Sequence, residues 1–199
     1  MEYITHLHKD KKLRTIISDA SPLAPGKKKN LWLYLCASIT SQQLSVKVAA
    51  VIWKRFLDLF EGKEPTPQEV LAAEPAQLRG IGLSNAKVKY VQAVAAFALE
   101  QGLEWKKLSK MENEAVINYV TTIKGVGRWT AEMMLMFALG REDVFAVDDL
   151  GIQNAMCRLY KLDAADKKQM KTDMLRISAK WTPYRTYACL HLWSWKDAK

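Results

Sequence analysis

The sequence is poor in the residues that build disulfide scaffolds, metal clusters and membrane spans. It has three cysteines in 199 residues, Cys36, Cys157 and Cys189, widely spaced and in apolar surroundings. An odd, scattered set argues against a disulfide framework and against a clustered metal or redox site. Buried, reduced thiols in a cytosolic protein are expected. Histidine is scarce too, and His6 and His8 share no ligand spacing with any other residue. The apolar runs are broken by charges well short of a membrane-spanning length, so no membrane association is expected. The stretch Met1-Glu-Tyr-Ile-Thr-His6 lacks a basic segment followed by an apolar one, so no secretory signal is expected. Negative charge is also in short supply. Asp plus Glu total 21 against 30 Lys plus Arg, a formal charge of +9 that favours a polyanionic partner.

Strand-type alternation is almost absent, and helical spacing takes its place. Leu44, Val48, Val51, Ile52, Phe56 and Leu59 recur at three- and four-residue steps. Val88, Val91, Val94, Ala95 and Ala98 do the same, as do Met133, Met134, Phe137 and Ala138. Breakers separate these runs: Pro22-Leu-Ala-Pro-Gly26, Pro65-Thr-Pro67, Gly80-Ile-Gly82, Gly125-Val-Gly127 and Thr182-Pro183. The pattern predicts an all-α protein of eight to ten short helices. No low-complexity linker splits the chain, so a single domain over 1–199 is expected. Hydrophobic content of 49% and charged content of 26% suit a soluble globular domain.

The most informative stretch is Ile123-Lys-Gly-Val-Gly-Arg-Trp-Thr-Ala131. Gly125 and Gly127 permit positive φ and close approach of a ligand to the backbone. Arg128 then opens a helix whose first N–H groups lack internal partners, an arrangement that favours an anion such as phosphate. Lys124, Arg128 and Thr130 can add charge and a hydroxyl. Leu78-Arg-Gly-Ile-Gly-Leu-Ser84 has the same form, apolar-basic-Gly-apolar-Gly, before another helix, with Ser84 as its expected N-cap. The two are read as a repeated unit. Downstream, Val147-Asp-Asp-Leu150 supplies two carboxylates that point in different directions, one suited to capping the helix that follows and one to facing a cleft.

Ile123 to Leu135 resembles the helix-hairpin-helix of the base-excision DNA glycosylase superfamily, and Asp148-Asp149 falls where that family keeps its catalytic aspartate. Further segments extend the likeness: Ser38-Ile-Thr-Ser-Gln-Gln-Leu-Ser45, Leu78 to Lys87, and Trp181 to Trp193, the last similar to the closing helix of the 3-methyladenine DNA glycosylase II branch. The resemblance covers about residues 30–195. It implies a two-lobed helical fold with a cleft between lobes, lobe one at about 36–125 and lobe two at about 1–35 plus 126–199. It also implies a sodium or potassium ion in the hairpin on the backbone carbonyls of Thr121, Ile123 and Gly125, a donor set suited to hard cations. Asp149 would be catalytic and Asp148 its support, although alignment on the Val-Asp pair of other branches makes Asp148 catalytic.

The implied activity is hydrolysis of the N-glycosidic bond of an alkylated purine in duplex DNA, as part of base excision repair. A carboxylate would stabilise the positive charge that develops on the deoxyribose. Branches that also cut the backbone carry a lysine where this chain has Trp129, so a monofunctional enzyme without lyase activity is expected. Three dispersed cysteines leave no ligand set for the iron–sulfur cluster of some relatives, and catalysis is expected to need no cofactor. The target base must leave the stack. By resemblance Gln43 fills the gap, where this branch often has leucine, and Gln42 lies beside it. Trp129, Met133, Trp193, Tyr187 and Leu150 would line the base pocket. His191 would be a structural hydrogen-bonder. The partner would be double-stranded DNA with damaged bases, the protein a cytoplasmic monomer, nucleoid-associated if bacterial. Two other readings remain: a glycosylase for uracil, ethenoadenine or an oxidised purine, and a non-catalytic helix-hairpin-helix module.

Overall fold

The computed structural model describes residues 1–17 and 23–198. The breaker at Pro22 therefore lies outside the described residues, while Leu23 to Gly26 lie within them. Among the described residues the chain forms twelve α-helices and two 3₁₀ turns, Leu13–Thr15 and Ala179–Trp181. The helices are α1 (Glu2–Leu7), α2 (Leu31–Ser41), α3 (Val46–Asp58), α4 (Pro67–Ala72), α5 (Pro75–Gly80), α6 (Asn85–Glu100), α7 (Trp105–Leu108), α8 (Asn113–Val120), α9 (Arg128–Phe137), α10 (Leu150–Tyr160), α11 (Lys167–Ser178) and α12 (Arg185–Asp197). The all-α expectation holds, and an isolated bridge between Asn30 and Glu104 is the only β feature among the described residues. Twelve helices exceed the expected eight to ten because α4, α5 and α7 are one to two turns long, too short to show a period. No helix among the described residues is long and apolar enough to cross a membrane.

The chain divides into two compact units, Lys28–Met134 on one side and Met1–Lys27 with Leu135–Lys199 on the other. In the first unit α2 packs on α3 and α6, and α4 packs on α6. Its core holds Leu35, Cys36, Ile39, Phe56, Val70, Leu78, Val91, Val94, Leu108 and Val120, all fully buried. The short helices are held by local chemistry. Thr66 and Glu69 form a reciprocal capping box with Pro67 in the first turn of α4. Asn30, Ser45 and Ser84 cap α2, α3 and α6 through the N–H groups of Leu33, Val48 and Lys87. The stripe from Leu44 to Leu59 is only partly core. Ile52 and Phe56 are buried, but Leu44 (38% exposed), Val48 and Val51 (both 45%) face outward, and Leu44 precedes α3.

In the second unit α10 packs on α12 and α11. Leu7, Leu13, Met156, Met174, Trp181, Ala188 and Leu192 fill its interior. A half-buried carboxylate network sits beside them. Asp10 Oδ2 accepts from Tyr160 Oη (2.8 Å) and Trp181 Nε1 (3.1 Å), while Oδ1 accepts from the N–H groups of Lys12 and Leu13. Fully burying a Leu or Phe contributes about 1.5–3 kcal/mol. An exposed ion pair contributes at most about 1 kcal/mol. Apolar packing therefore dominates the stability of both units.

None of the three thiols is in a disulfide, but only Cys36 and Cys189 are buried; Cys157 is half-buried on α10. His191 is buried at 3% exposure, yet its Nε2 has no hydrogen-bond partner, which corrects the expected bonding role for that atom. Burial, followed by the nearby His8, pushes its pKa below the ordinary imidazole value.

Candidate functional site

The hairpin lies within the unit Lys28–Met134. Residues 121–127 join α8 to α9, closed by the Val126 N–H donating to Ile123 O at 3.0 Å. Gly125 adopts φ +94°, and an added Cβ there would overlap the Tyr90 ring. Gly127 needs no positive φ, and a Cβ on it would meet nothing within 4 Å. The two glycines therefore do different jobs: Gly125 makes the turn, and Gly127 leaves space at the start of α9. In the first turn of α9 the Ala131 N–H donates to Gly127 O at 3.0 Å. The amides before it belong to the opening turn, where helices lack internal acceptors. The earlier segment does not repeat this geometry. There it is the second glycine, Gly82, that takes φ +107°, while Gly80 ends α5. Similar spelling accompanies different turns, so the repeated-unit expectation fails at the level of backbone conformation.

Lys124 is exposed beside the turn. Arg128 is committed within the protein. Its Nη1 and Nη2 donate to both oxygens of Glu114 (3.0 and 2.5 Å), and its Nε donates to Glu132 at 3.0 Å. The Arg128 bonds hold the Glu114 carboxyl below the usual range. Arg128 thus ties α8 to α9. Thr130 is buried at 3% exposure. Trp129 is 41% exposed and Met133, one turn later, is buried at 6%. Ser84 caps α6 as expected.

The Ser41–Ser45 turn belongs to the same unit. Gln43 is exposed and adopts φ +59°, a conformation uncommon for a residue with a Cβ. Gln42 is half-buried, and its Nε2 donates to Gly125 O at 3.5 Å. Of the carbonyls expected to hold a cation, those of Ile123 and Gly125 each already accept one hydrogen bond. Each keeps a second lone pair.

The carboxylates lie in the other unit, at the start of α10. Asp149 is half-buried and caps α10, its Oδ1 accepting from Ile152 N at 2.8 Å. The same oxygen accepts from Trp193 Nε1 at 2.8 Å, a donor reaching over from α12. Capping and the indole contact both fall on Asp149, where the expectation was one carboxylate to cap the helix and the other to face a cleft. Asp148 is exposed and forms an ion pair with Lys171 on α11 at 2.5 Å. Gly151 leaves room beside the indole contact. A Cβ there would lie 3.0 Å from Asp149 Oδ1 and 3.1 Å from Trp193 Nε1. Leu150 is 69% exposed beside it.

Tyr187 departs from the expected pocket. It stacks on Tyr3 (centroids 4.1 Å apart), donates to Glu142 at 2.7 Å, and lines a hollow with Tyr184, Leu23 and Ala24. It lies six positions before Trp193 on α12, about 120° away around the helix at roughly 3.6 residues per turn. Sequence reading also gave no role to Lys171, Glu114, Gly151 or Lys87. A lysine in the first turn of a helix with no acid beside it, as at Lys87, was a readable signal.

Residues 36–180 match the family described as HhH-GPD superfamily base excision DNA repair protein. The chain is 34% identical over 185 residues to DNA-3-methyladenine glycosylase 1 of Schizosaccharomyces pombe, covering 92% of this chain and 80% of that protein. Its fold is similar to the crystal structure of a DNA-3-methyladenine glycosidase from Bacillus halodurans, with TM-score 0.86, 34% identity, and 99% and 89% of the two chains covered. It is also similar to the 3-methyladenine DNA glycosylase of S. pombe in complex with abasic DNA, with TM-score 0.84, 31% identity, and 98% and 96% covered. A family match over most of the chain, joined to relatives of this identity along nearly its whole length, establishes that the chain belongs to the HhH-GPD superfamily of base excision DNA repair proteins.

Proposed function

We propose that the protein is a monofunctional DNA glycosylase that releases alkylated purines of the 3-methyladenine type from duplex DNA. The observation that carries this reading is the fixed carboxylate of Asp149, held through Oδ1 by a backbone N–H of α10 and the indole N–H of Trp193. In the reaction the bond between C1′ and the purine nitrogen breaks, the electron pair leaves with the base, and water adds to C1′ and gives up its proton to Asp149 and then to solvent. The sugar passes through a cationic state, and a preorganised carboxylate stabilises it without having to reorient. Asp149 is the catalytic residue in this reading because Lys171 already neutralises Asp148. An alkylated purine carries its own positive charge, so it departs without a strong general acid.

The opening amides of α9, with the open space at Gly127, would receive a DNA phosphate. Lys124 adds charge there, and a sodium or potassium ion on the Thr121, Ile123 and Gly125 carbonyls would neutralise a second anionic contact. Gln43 would fill the gap left by the extruded base. Trp129 stands where a Schiff-base lysine would be needed, which supports hydrolysis without strand cleavage. Trp129, Met133, Leu150 and Trp193 are the residues assigned to the base; Tyr187 is withdrawn from that set.

The test is to incubate the protein with methylated DNA and identify the released base by chromatography. Release of a methylated purine without strand cleavage is expected. Asp149→Asn should lower turnover roughly 100-fold or more while leaving DNA affinity in place. Equal turnover by Asp149→Asn would remove the catalytic assignment, and borohydride trapping of the wild type on DNA would contradict the monofunctional one.

A further inference from the structure

A lysine in the first turn of a helix faces the positive end of that helix's dipole, a locally unfavourable place. Lys87 stands there in α6, part-buried, and its reason lies outside α6. Its Nζ donates to Thr40 O at 2.9 Å and to Gln42 O at 2.7 Å. These carbonyls belong to the end of α2 and the residue after it, where unpaired C=O groups and the negative dipole end attract a cation. The other end of Gln42 is also held, since its Nε2 reaches Gly125 O. Between these anchors and the Ser45 cap of α3, Gln43 is kept at φ +59°. Leu44 N closes the turn on Ser41 O at 3.1 Å. A conformation this uncommon persists only when its surroundings fix it. Burial pushes the Lys87 pKa down, as expected of an ammonium that has traded water for protein carbonyls.

We propose that Lys87 is a positioning residue for base extrusion: its ammonium clamps the Thr40 and Gln42 carbonyls so that the Gln43 side chain is presented ready to enter the duplex. This rests on the reading of the protein as a glycosylase with Gln43 as the gap-filling residue. Lys87 need touch neither the DNA nor the reacting atoms. It removes the need to order the turn at the moment the base leaves the stack.

The test uses the full chain on duplex DNA with one methylated purine and 2-aminopurine beside it, whose fluorescence reports unstacking. Lys87→Met keeps the stem and removes the charge and its donors. It should lower both the fluorescence change and single-turnover excision by roughly 10- to 100-fold, the scale of charge-assisted hydrogen bonds. Lys87→Arg, which keeps charge and two or more donors, should recover most of that loss. In a Gln43→Ala background, Lys87→Met should cost no more than about twofold, because the side chain it presents is gone. Wild-type extrusion by Lys87→Met overturns the proposal. So does a full, additive loss in the Gln43→Ala background, or a loss tracked entirely by a fall in Tm. If the wild type itself releases no base, the glycosylase reading fails first; an active wild type with an indifferent Lys87→Met removes this inference alone.

Discussion

A single carboxylate oxygen carries most of the chemistry assigned to this chain, and its surroundings decide whether it can act. Asp149 Oδ1 is gripped by Ile152 N and by Trp193 Nε1. Removing the indole donor with Trp193→Phe keeps an aromatic ring but loses one hydrogen bond to a carboxylate, about 1.5–3 kcal/mol. Turnover should fall roughly 10- to 100-fold, since about 1.36 kcal/mol corresponds to one decade. Gly151→Ala attacks the same contact from behind. The new Cβ meets Asp149 Oδ1 at 3.0 Å and the indole nitrogen at 3.1 Å, so one of the two must shift. Excision should drop while the melting temperature stays within a few degrees, because alanine is the better helix former. Unchanged excision by Gly151→Ala, measured in single turnover, would show that the site tolerates displacement of the pair. None of this was readable from sequence. The Asp-Asp pair was visible, but the indole partner lies 44 residues away and becomes a neighbour only when α12 packs on α10.

Among the helices and turns, the hairpin separates conformation from contact. Gly125 has φ +94° and no room for a side chain beside Tyr90. Gly125→Ala should therefore lose stability, by about 1–3 kcal/mol from the left-handed backbone and more from the overlap. Gly127→Ala meets open space and should leave thermal stability unchanged. Its effect should appear in DNA binding, as a weakening that is the same for every sequence, because phosphate contacts carry no sequence information. Titrations against several unrelated duplexes check this, and a sequence-selective loss would count against the phosphate role. Reading Gly-x-Gly from sequence found the element but not the division of labour, because torsion angles depend on what packs behind the turn. The longer helices were legible for the opposite reason: α6 and α3 carry enough turns for a 3.6-residue period to show. The short ones were legible only through their caps. Thr66-Pro-Gln-Glu69 spells a capping box that periodicity alone passes over.

Taken as a whole, the molecule should unfold in acid through two separable proton uptakes, both in the unit formed by residues 1–27 and 135–199. His191 is held below the ordinary imidazole value, about 6.5, by burial and then by His8. The unfolded chain therefore takes up this proton at a higher pH than the folded protein does. Stability from this source is complete above about pH 6.5 and declines as the pH falls below it. Asp10 behaves as a depressed carboxylate. Burial works to raise its pKa, but the bonds from Leu13, Trp181, Tyr160 and Lys12 together outweigh burial and leave it lowered. Its contribution is present above the unfolded carboxylate value, about 3.9, and is lost as the pH falls further through the folded value. Chemical denaturation at pH 7.5, 5.5 and 3.0 should show a first decrease that His191→Gln flattens and a second that Asp10→Asn flattens. Asp10→Asn should also cost about 1–3 kcal/mol at pH 7.5, because the half-buried Tyr160 and the buried Trp181 lose their charged acceptor. A stability that is level from pH 7.5 to 5.5 in the wild type would mean that His191 reaches water and protonates without opening the core around α12.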